Sequence, residues 1–218
     1  MMINVESARQ QMVEQQIRAW EVLDARVLAT MTDVRRELFT PDGYRDLAFA
    51  DTAIPIGHGE HMLPPKIDGR ILQALELTPQ DDVLEVGTGT GFLTACLAHL
   101  AGRVQTLEIH PDLADRATAN LKFAAVNNVQ VEVRDAMTLA DEARWDAIAV
   151  TGSLPVYDER FQRALRIDGR LFVVVGVAPV MEAWKVTRVG DREWVREGLF
   201  ETVIDPLVNA PQPPAFVF

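Results

Sequence analysis

The sequence predicts a doubly wound α/β fold: a mostly parallel sheet with an antiparallel hairpin at one edge, preceded by helices. Three observations carry this. Asp82-Val83-Leu84-Glu85-Val86 reads as a short buried strand that runs into Gly87-Thr88-Gly89-Thr90-Gly91 and then into an Ala- and Leu-rich helix from Phe92. Beyond it, strand-length apolar runs alternate with helix-length periodic ones, the pattern of a sheet with helices on both faces. Residues 186–189 and 194–200 flank Gly190-Asp191, the composition of a hairpin turn.

Taken in order, Val5, Ala8, Met12, Val13, Ile17 and Trp20 recur at helical spacing with polar residues between them, so 5–20 is expected to form an amphipathic helix. Asp24 is placed to cap a second helix carrying Val27, Leu28 and Met31. After Thr40-Pro41, residues 44–49 read as a further helical turn, and Ile54-Pro55-Ile56-Gly57-His58-Gly59 as a loop. Strands are expected over 103–108, 129–133, 145–150 and 171–175, and helices over 112–125 and 156–165. The proline-rich tail, 206–218, is expected to lie along the surface. One domain accommodates the chain, with 1–66 a helical segment and 67–218 the sheet and its C-terminal hairpin.

Composition narrows the function classes. The 218 residues are 48% hydrophobic, ample for a sizeable core. Lys and Arg number 21 against 32 Asp and Glu, a formal net charge of −11, which argues against a nucleic-acid partner because phosphate affinity comes from clustered cations. The N-terminus has no long apolar leader-like run, and the most apolar stretch, 171–181, is broken by Gly176 and Pro179. A soluble, cytoplasmic protein with no membrane partner is expected. The single cysteine, Cys96, sits among Ala95, Leu97 and Ala98 and reads as a small buried side chain.

The glycine turn suggests a cofactor. Glycines at 87, 89 and 91 let a ligand lie against bare backbone at the carboxyl end of a strand and the start of a helix. A dinucleotide fingerprint would need a third Gly or Ala at Phe92 or Thr94, and both registers fail. Glu85-x-Gly87-x-Gly89-x-Gly91 instead resembles the first motif of S-adenosylmethionine-dependent methyltransferases, which implies that Gly87, Thr88, Gly89 and Gly91 accommodate the methionine part of that cofactor. Glu108, followed by Ile109, closes the second strand of the sheet, where its carboxylate can accept from both ribose hydroxyls. Asp135 and Ala136 follow the third strand and resemble the adenine-side element; a simple turn Asp is the competing reading. Glu85 itself is expected to be buried and to hold the turn through nearby backbone donors. His110 can border the adenosine.

The N-terminal third adds a narrower resemblance. Met12-Val13-Glu14-Gln15-Gln16-Ile17, then Val34-Arg35-Arg36-Glu37-Leu38-Phe39-Thr40-Pro41, then 44–59 ending in Pro55-Ile56-Gly57-His58-Gly59, resemble the protein-L-isoaspartate O-methyltransferase family. The resemblance covers nearly the whole chain and implies a Rossmann-like methyltransferase fold and carboxyl O-methylation of L-isoaspartyl residues. It also implies an acceptor loop that includes Ile56, Gly57, His61, Met62 and Leu63. In the family that loop continues Gly-Gln-Thr-Ile-Ser-Gln-Pro; here it is Gly59-Glu60-His61-Met62-Leu63-Pro64-Pro65, with Leu63 at the serine. Leucine neither donates nor accepts a hydrogen bond. An isoaspartyl protein or peptide is the implied acceptor, with weak or absent turnover expected because Glu60 and His61 as well as Leu63 depart from the family loop, while cofactor binding is expected to be intact. Two readings stand beside it: a methyltransferase for a different, more apolar small molecule, and an S-adenosylmethionine-binding protein without catalysis. No catalytic residue is assigned. The spacing of His58, Glu60 and His61 matches no standard metal site, so no metal is expected.

Overall fold

The computed structural model describes residues 5–140 and 142–214. Its centre is a seven-stranded sheet with strand order β5-β4-β3-β6-β7-β8-β9, built from β3 (Asp82–Val86), β4 (Arg103–Glu108), β5 (Val129–Val133), β6 (Trp145–Leu154), β7 (Leu165–Val177), β8 (Val180–Gly190) and β9 (Glu193–Glu201). The first five are parallel, and β8 and β9 add antiparallel to β7. The expected mixed sheet with an edge hairpin is therefore observed. Its strand order reverses at β3, with β4 on one side and β6 on the other. A ligand crevice forms at the carboxyl ends of strands at such a point.

Period-two alternation sorts the central strands onto two cores. Val83, Ala147, Ala149, Phe172 and Val174 face one, together with α3 (Pro65–Leu75), α4 (Phe92–Leu100) and α5 (Pro111–Phe123). Leu84, Val86, Ile148, Val150, Leu171 and Val173 face the other, which is closed by α6 (Arg160–Arg163) and by Leu207 and Ala210 of the C-terminal segment. Cys96 is buried in the first core, and burial pushes its thiol well above the usual value. No helix among the described residues is long and apolar enough to cross a membrane.

The N-terminal helices form as the apolar spacing indicates, with a change of pitch. α1 (Val5–Gln11) widens into a π-helical turn over Met12–Ile17 and tightens to a 3-10 turn at Arg18–Trp20. The five-residue repeat puts Met12 and Ile17 on the same inward face, both fully buried. Asp24 caps α2 (Ala25–Asp33), accepting from the Arg26 amide at 2.8 Å.

Several sequence-based boundaries need correction. Residues 54–59, expected to be a loop, begin a hairpin of β1 (Ile54–Gly57) and β2 (Glu60–Met62), whose Ile54, Ile56 and Met62 point inward. That alternation was present in the sequence but is short and holds a proline. The helix expected over 156–165 shrinks to one turn, Arg160–Arg163: Asp158 accepts from the Arg160 amide where it starts, and where it ends the carbonyls of Arg163 and Ala164 accept from Ala143, Arg144 and Trp145 entering β6, and Leu165 pairs with Trp145. The tail does not simply skirt the surface. Ser153 donates to the Asp205 carbonyl at 2.8 Å and accepts from the Leu207 amide at 2.9 Å, so residues 204–207 lie along β6. A Cβ on Gly152 would stand 2.6 Å from Leu207 Cδ2, so glycine permits this approach. The last four residues of the tail, 215–218, lie outside the described residues.

Candidate active site

The crevice at the reversal point is a cleft lined by the glycine turn, the ends of β3 and β4, residues 134–137 after β5, and Asp205, Leu207 and Val208 of the tail, and a concave site at this place in the sheet is where a small ligand is held. The glycine turn forms its floor. Gly87 has φ +95° and a Cβ there would collide with the Thr151 hydroxyl, which lies 2.8 and 2.9 Å from the carbonyls of Val86 and Gly87. Gly91 adopts φ +86° at the start of α4 and turns away from the cleft, where a Cβ would press on Leu121 and Ala117. Gly87, Thr88 and Gly89 line the cleft; Gly91 shapes the turn from behind.

Glu108 stands at the end of β4 and is 5% exposed. Its Oε2 accepts from the Gly89 amide at 2.9 Å and its Oε1 from the His110 amide at 3.0 Å. Each carboxylate oxygen retains a lone pair for a further donor on the cleft side. Asp135 caps the 3-10 turn Ala136–Thr138 through the Met137 amide at 2.8 Å and accepts from Asn209 Nδ2 at 2.9 Å. It is a turn Asp, and it also lines the cleft beside Ala136, Ile109 and His110.

Glu85 supports the turn from below by a different route from the backbone donors expected. Its Oε2 accepts from Thr94 Oγ1 at 2.5 Å and Thr106 Oγ1 at 2.6 Å, and Thr106 in turn lies 2.6 Å from Thr88 Oγ1 of the turn. Full burial raises its carboxyl from 4.5 to about 8, against the pull of these two hydroxyls. A group whose folded pKa lies above its unfolded one stabilises most below the unfolded value and loses that contribution as pH rises to the folded one. The protein is therefore expected to lose a few kcal/mol between about pH 4.5 and 8, at about 1.4 kcal/mol per tenfold in ionisation equilibrium. Urea unfolding of wild type and Glu85→Gln across that window checks this; the variant should show the flatter dependence, and parallel curves would remove Glu85 as the source.

The hairpin of β1 and β2 walls the cleft. Gly57, His58 and Gly59 form its tip with consecutive positive φ. One side is tied to α5: His58 Nε2 lies 2.8 Å from Asp112 Oδ1, the His58 ring stacks on His110 at 4.0 Å, and Arg116 donates to the Ile56 carbonyl at 3.1 Å. The other is tied to the tail, with His61 Nδ1 2.9 Å from Asp205 Oδ2. Below, the buried Arg36 donates to the Leu63 carbonyl at 2.5 Å and to Asp68 Oδ2 at 2.6 Å. Ile56, His61, Met62 and Leu63 all reach the cleft, whereas Gly57 does not. Burial first, then the Asp205 and Glu108 carboxylates, push the half-buried Glu60 above its ordinary value.

Sequence reasoning left Asp205, Leu207 and Val208 out of the site, yet all three line it. No local signal marks them, since only the return of the tail along β6 brings them there. The arrangement offers a bare-backbone floor, the Glu108 carboxylate at the end of β4, the apolar Met62 and Leu63, and two imidazoles, His61 and His110.

A family model described as Protein-L-isoaspartate(D-aspartate) O-methyltransferase (PCMT) matches residues 7–211. The chain is 39% identical over 196 residues to the protein-L-isoaspartate O-methyltransferase of Methanoculleus marisnigri, covering 89% of this chain and 86% of that protein. It is likewise 39% identical over 201 residues to the protein-L-isoaspartate O-methyltransferase of Rhodopseudomonas palustris, covering 91% and 92%. A solved structure from Plasmodium falciparum, assigned as a protein-L-isoaspartate O-methyltransferase and in complex with S-adenosyl-L-homocysteine, superposes with a TM-score of 0.79 at 20% identity. That likeness covers 94% of this chain and 99% of the other, and it bears on the fold.

Proposed function

The chain belongs to the protein-L-isoaspartate(D-aspartate) O-methyltransferase family, and from that premise we propose that it methylates the free α-carboxylate of L-isoaspartyl residues in proteins and peptides, with S-adenosylmethionine as donor. The observation that carries this reading is the convergence on one cleft of the glycine turn, Glu108 and the β1–β2 hairpin. The residues present fit the cofactor. Gly87 and Gly89 expose backbone where side chains would collide with Thr151 or crowd Ile56, Glu108 would accept from the ribose hydroxyls, and Asp135 with Ala136 would border the adenine. When bound, S-adenosylmethionine supplies an electrophilic methyl group on a sulfonium.

The protein's task is then positioning. An α-carboxylate with a reference pKa of about 3.3–3.7 is ionised at neutral pH, so the attacking oxygen needs no base and its methyl ester forms without proton release. Ile56, Met62 and Leu63 form an apolar wall that excludes water from the acceptor's approach, and the hairpin holds that wall against the cofactor floor. Orientation and desolvation account for most of the rate in such a displacement. The test is methyl transfer by the wild-type protein to an isoaspartyl peptide against its aspartyl twin. Methylation confined to the isoaspartyl peptide is expected; S-adenosylhomocysteine binding with no transfer to either peptide would overturn the assignment.

A further inference from the structure

We infer that His61, held by Asp205, is the side chain that grips the acceptor carboxylate in this protein. The inference rests on the functional reading above and names a residue that its loop sequence does not share with the family pattern. An anionic acceptor entering the cleft mouth meets Glu60 and Asp205, both carboxylates, and the apolar Met62 and Leu63. The Thr151 hydroxyl is engaged with the Val86 and Gly87 carbonyls. Of the other cleft-lining donors, Arg134 is bonded to Thr138 and paired with Glu132 and His110 is stacked on His58, so the His61 imidazole, carried by the hairpin itself, is left to meet the carboxylate.

Its orientation is set from 144 residues away. Asp205 Oδ2 lies 2.9 Å from Nδ1, which leaves Nε2 for a ligand. Asp205 is itself fixed, because its carbonyl accepts from Ser153 at the end of β6 and the Leu207 amide closes the same bridge. With Nδ1–H donating to Asp205, Nε2 presents a lone pair when the ring is neutral and an N–H when it is protonated. A carboxylate is attracted only to the second. Recognition of the acceptor thus depends on the His61 proton, and Asp205 is the positioning residue that keeps the ring turned.

The titratable groups around His61 are Asp205 on the tail and Glu60 on its own strand, with Glu108 of β4 and His58 of the hairpin tip acting on Glu60. The experiment is therefore a comparison of variants as well as a pH series. Steady-state kinetics with an isoaspartyl peptide, from about pH 5.5 to 8.5 to span imidazole ionisation, would be run on wild type, His61→Ala, His61→Gln and Asp205→Asn. S-adenosylhomocysteine affinity would be measured on each by calorimetry. For wild type, the peptide KM should rise as pH rises. His61→Ala should raise KM roughly ten- to a hundredfold, with cofactor affinity changed less than about twofold. His61→Gln, which keeps a donor but does not ionise, should restore part of the loss and flatten the pH dependence. Asp205→Asn should displace the pH profile without abolishing cofactor binding. A wild-type KM independent of pH, or a His61→Gln profile that still follows wild type, overturns the inference while leaving the function standing. Absence of isoaspartyl turnover by wild type itself overturns the functional reading and this inference together. If His61→Ala does not fold, the wild-type and His61→Gln profiles decide.

Discussion

Arg36→Met is expected to destabilise the protein by about 3–5 kcal/mol, the cost of leaving one partner of a buried ion pair alone. Arg36 is fully buried and Asp68 2% exposed, and their side chains meet at 2.6 Å. Three further contacts converge on the guanidinium: the Ala48 carbonyl at 2.9 Å, the Leu63 carbonyl at 2.5 Å and the Phe92 ring at 4.6 Å. Methionine fills much of the volume but satisfies neither carbonyl. Burial already raises Asp68 to about 7 against the pull of Arg36, so without that pull the carboxyl stays protonated and loses its strongest hydrogen bond. Arg36→Met/Asp68→Leu should recover part of the loss, since an apolar pair has no ion to desolvate, while the Ala48 and Leu63 carbonyls still lack their donor. Urea unfolding of the single and double variants measures both numbers. A single variant within about 1 kcal/mol of wild type would show that the pair is not the anchor described, because exposed pairs rather than buried ones give such values. Since Arg36 also holds the Leu63 carbonyl, the variant should raise the acceptor KM beyond what stability explains.

Glu108→Ala should weaken S-adenosylhomocysteine binding by about 1.5–3 kcal/mol, the range for hydrogen bonds to a charged group, which is roughly ten- to more than a hundredfold in Kd. Two effects add. The proposed contact to the ribose hydroxyls is removed, and the Gly89 and His110 amides, now fastened to the two carboxylate oxygens, are released. Glu108→Gln separates them: its amide keeps the shape and one acceptor but sets an N–H against one of the two backbone donors, so an intermediate loss is expected. Calorimetry reads all three proteins. Binding by Glu108→Ala within about threefold of wild type would remove Glu108 from the cofactor site, and wild-type binding of NADH in place of S-adenosylhomocysteine would remove the cofactor assignment.

Some of this was determined by the sequence alone, for a physical reason. A buried strand, a run of alternate glycines and a helix are each set by neighbours a few residues away, so β3, the turn at 87–91 and α4 were readable from 82–98. Glu108 was readable because a strand of ordinary length places its last residue at a fixed height beside that turn. The edge hairpin was readable because Gly190-Asp191 interrupts alternating runs. Where local preference and tertiary pairing competed, the sequence was silent or misleading. Residues 156–165 carry helical periodicity, yet the helix ends at Arg163 because the residues entering β6 take the carbonyls of Arg163 and Ala164, and β7 takes Leu165 for the sheet. Ile54 to Met62 became a hairpin because its inward side chains close the first core. Glu85 was expected to find backbone donors and found Thr94 and Thr106 instead, which only the packing of α4 and β4 around β3 could supply. The farthest reach is the meeting of His61 with Asp205. Each residue alone is an ordinary polar side chain, one on the short strand β2 and one in the tail, and nothing in either neighbourhood points to the other. They meet because Gly152 leaves room for Leu207 and the tail bonds to Ser153, so the chemistry of the cleft mouth was decided by the tertiary fold.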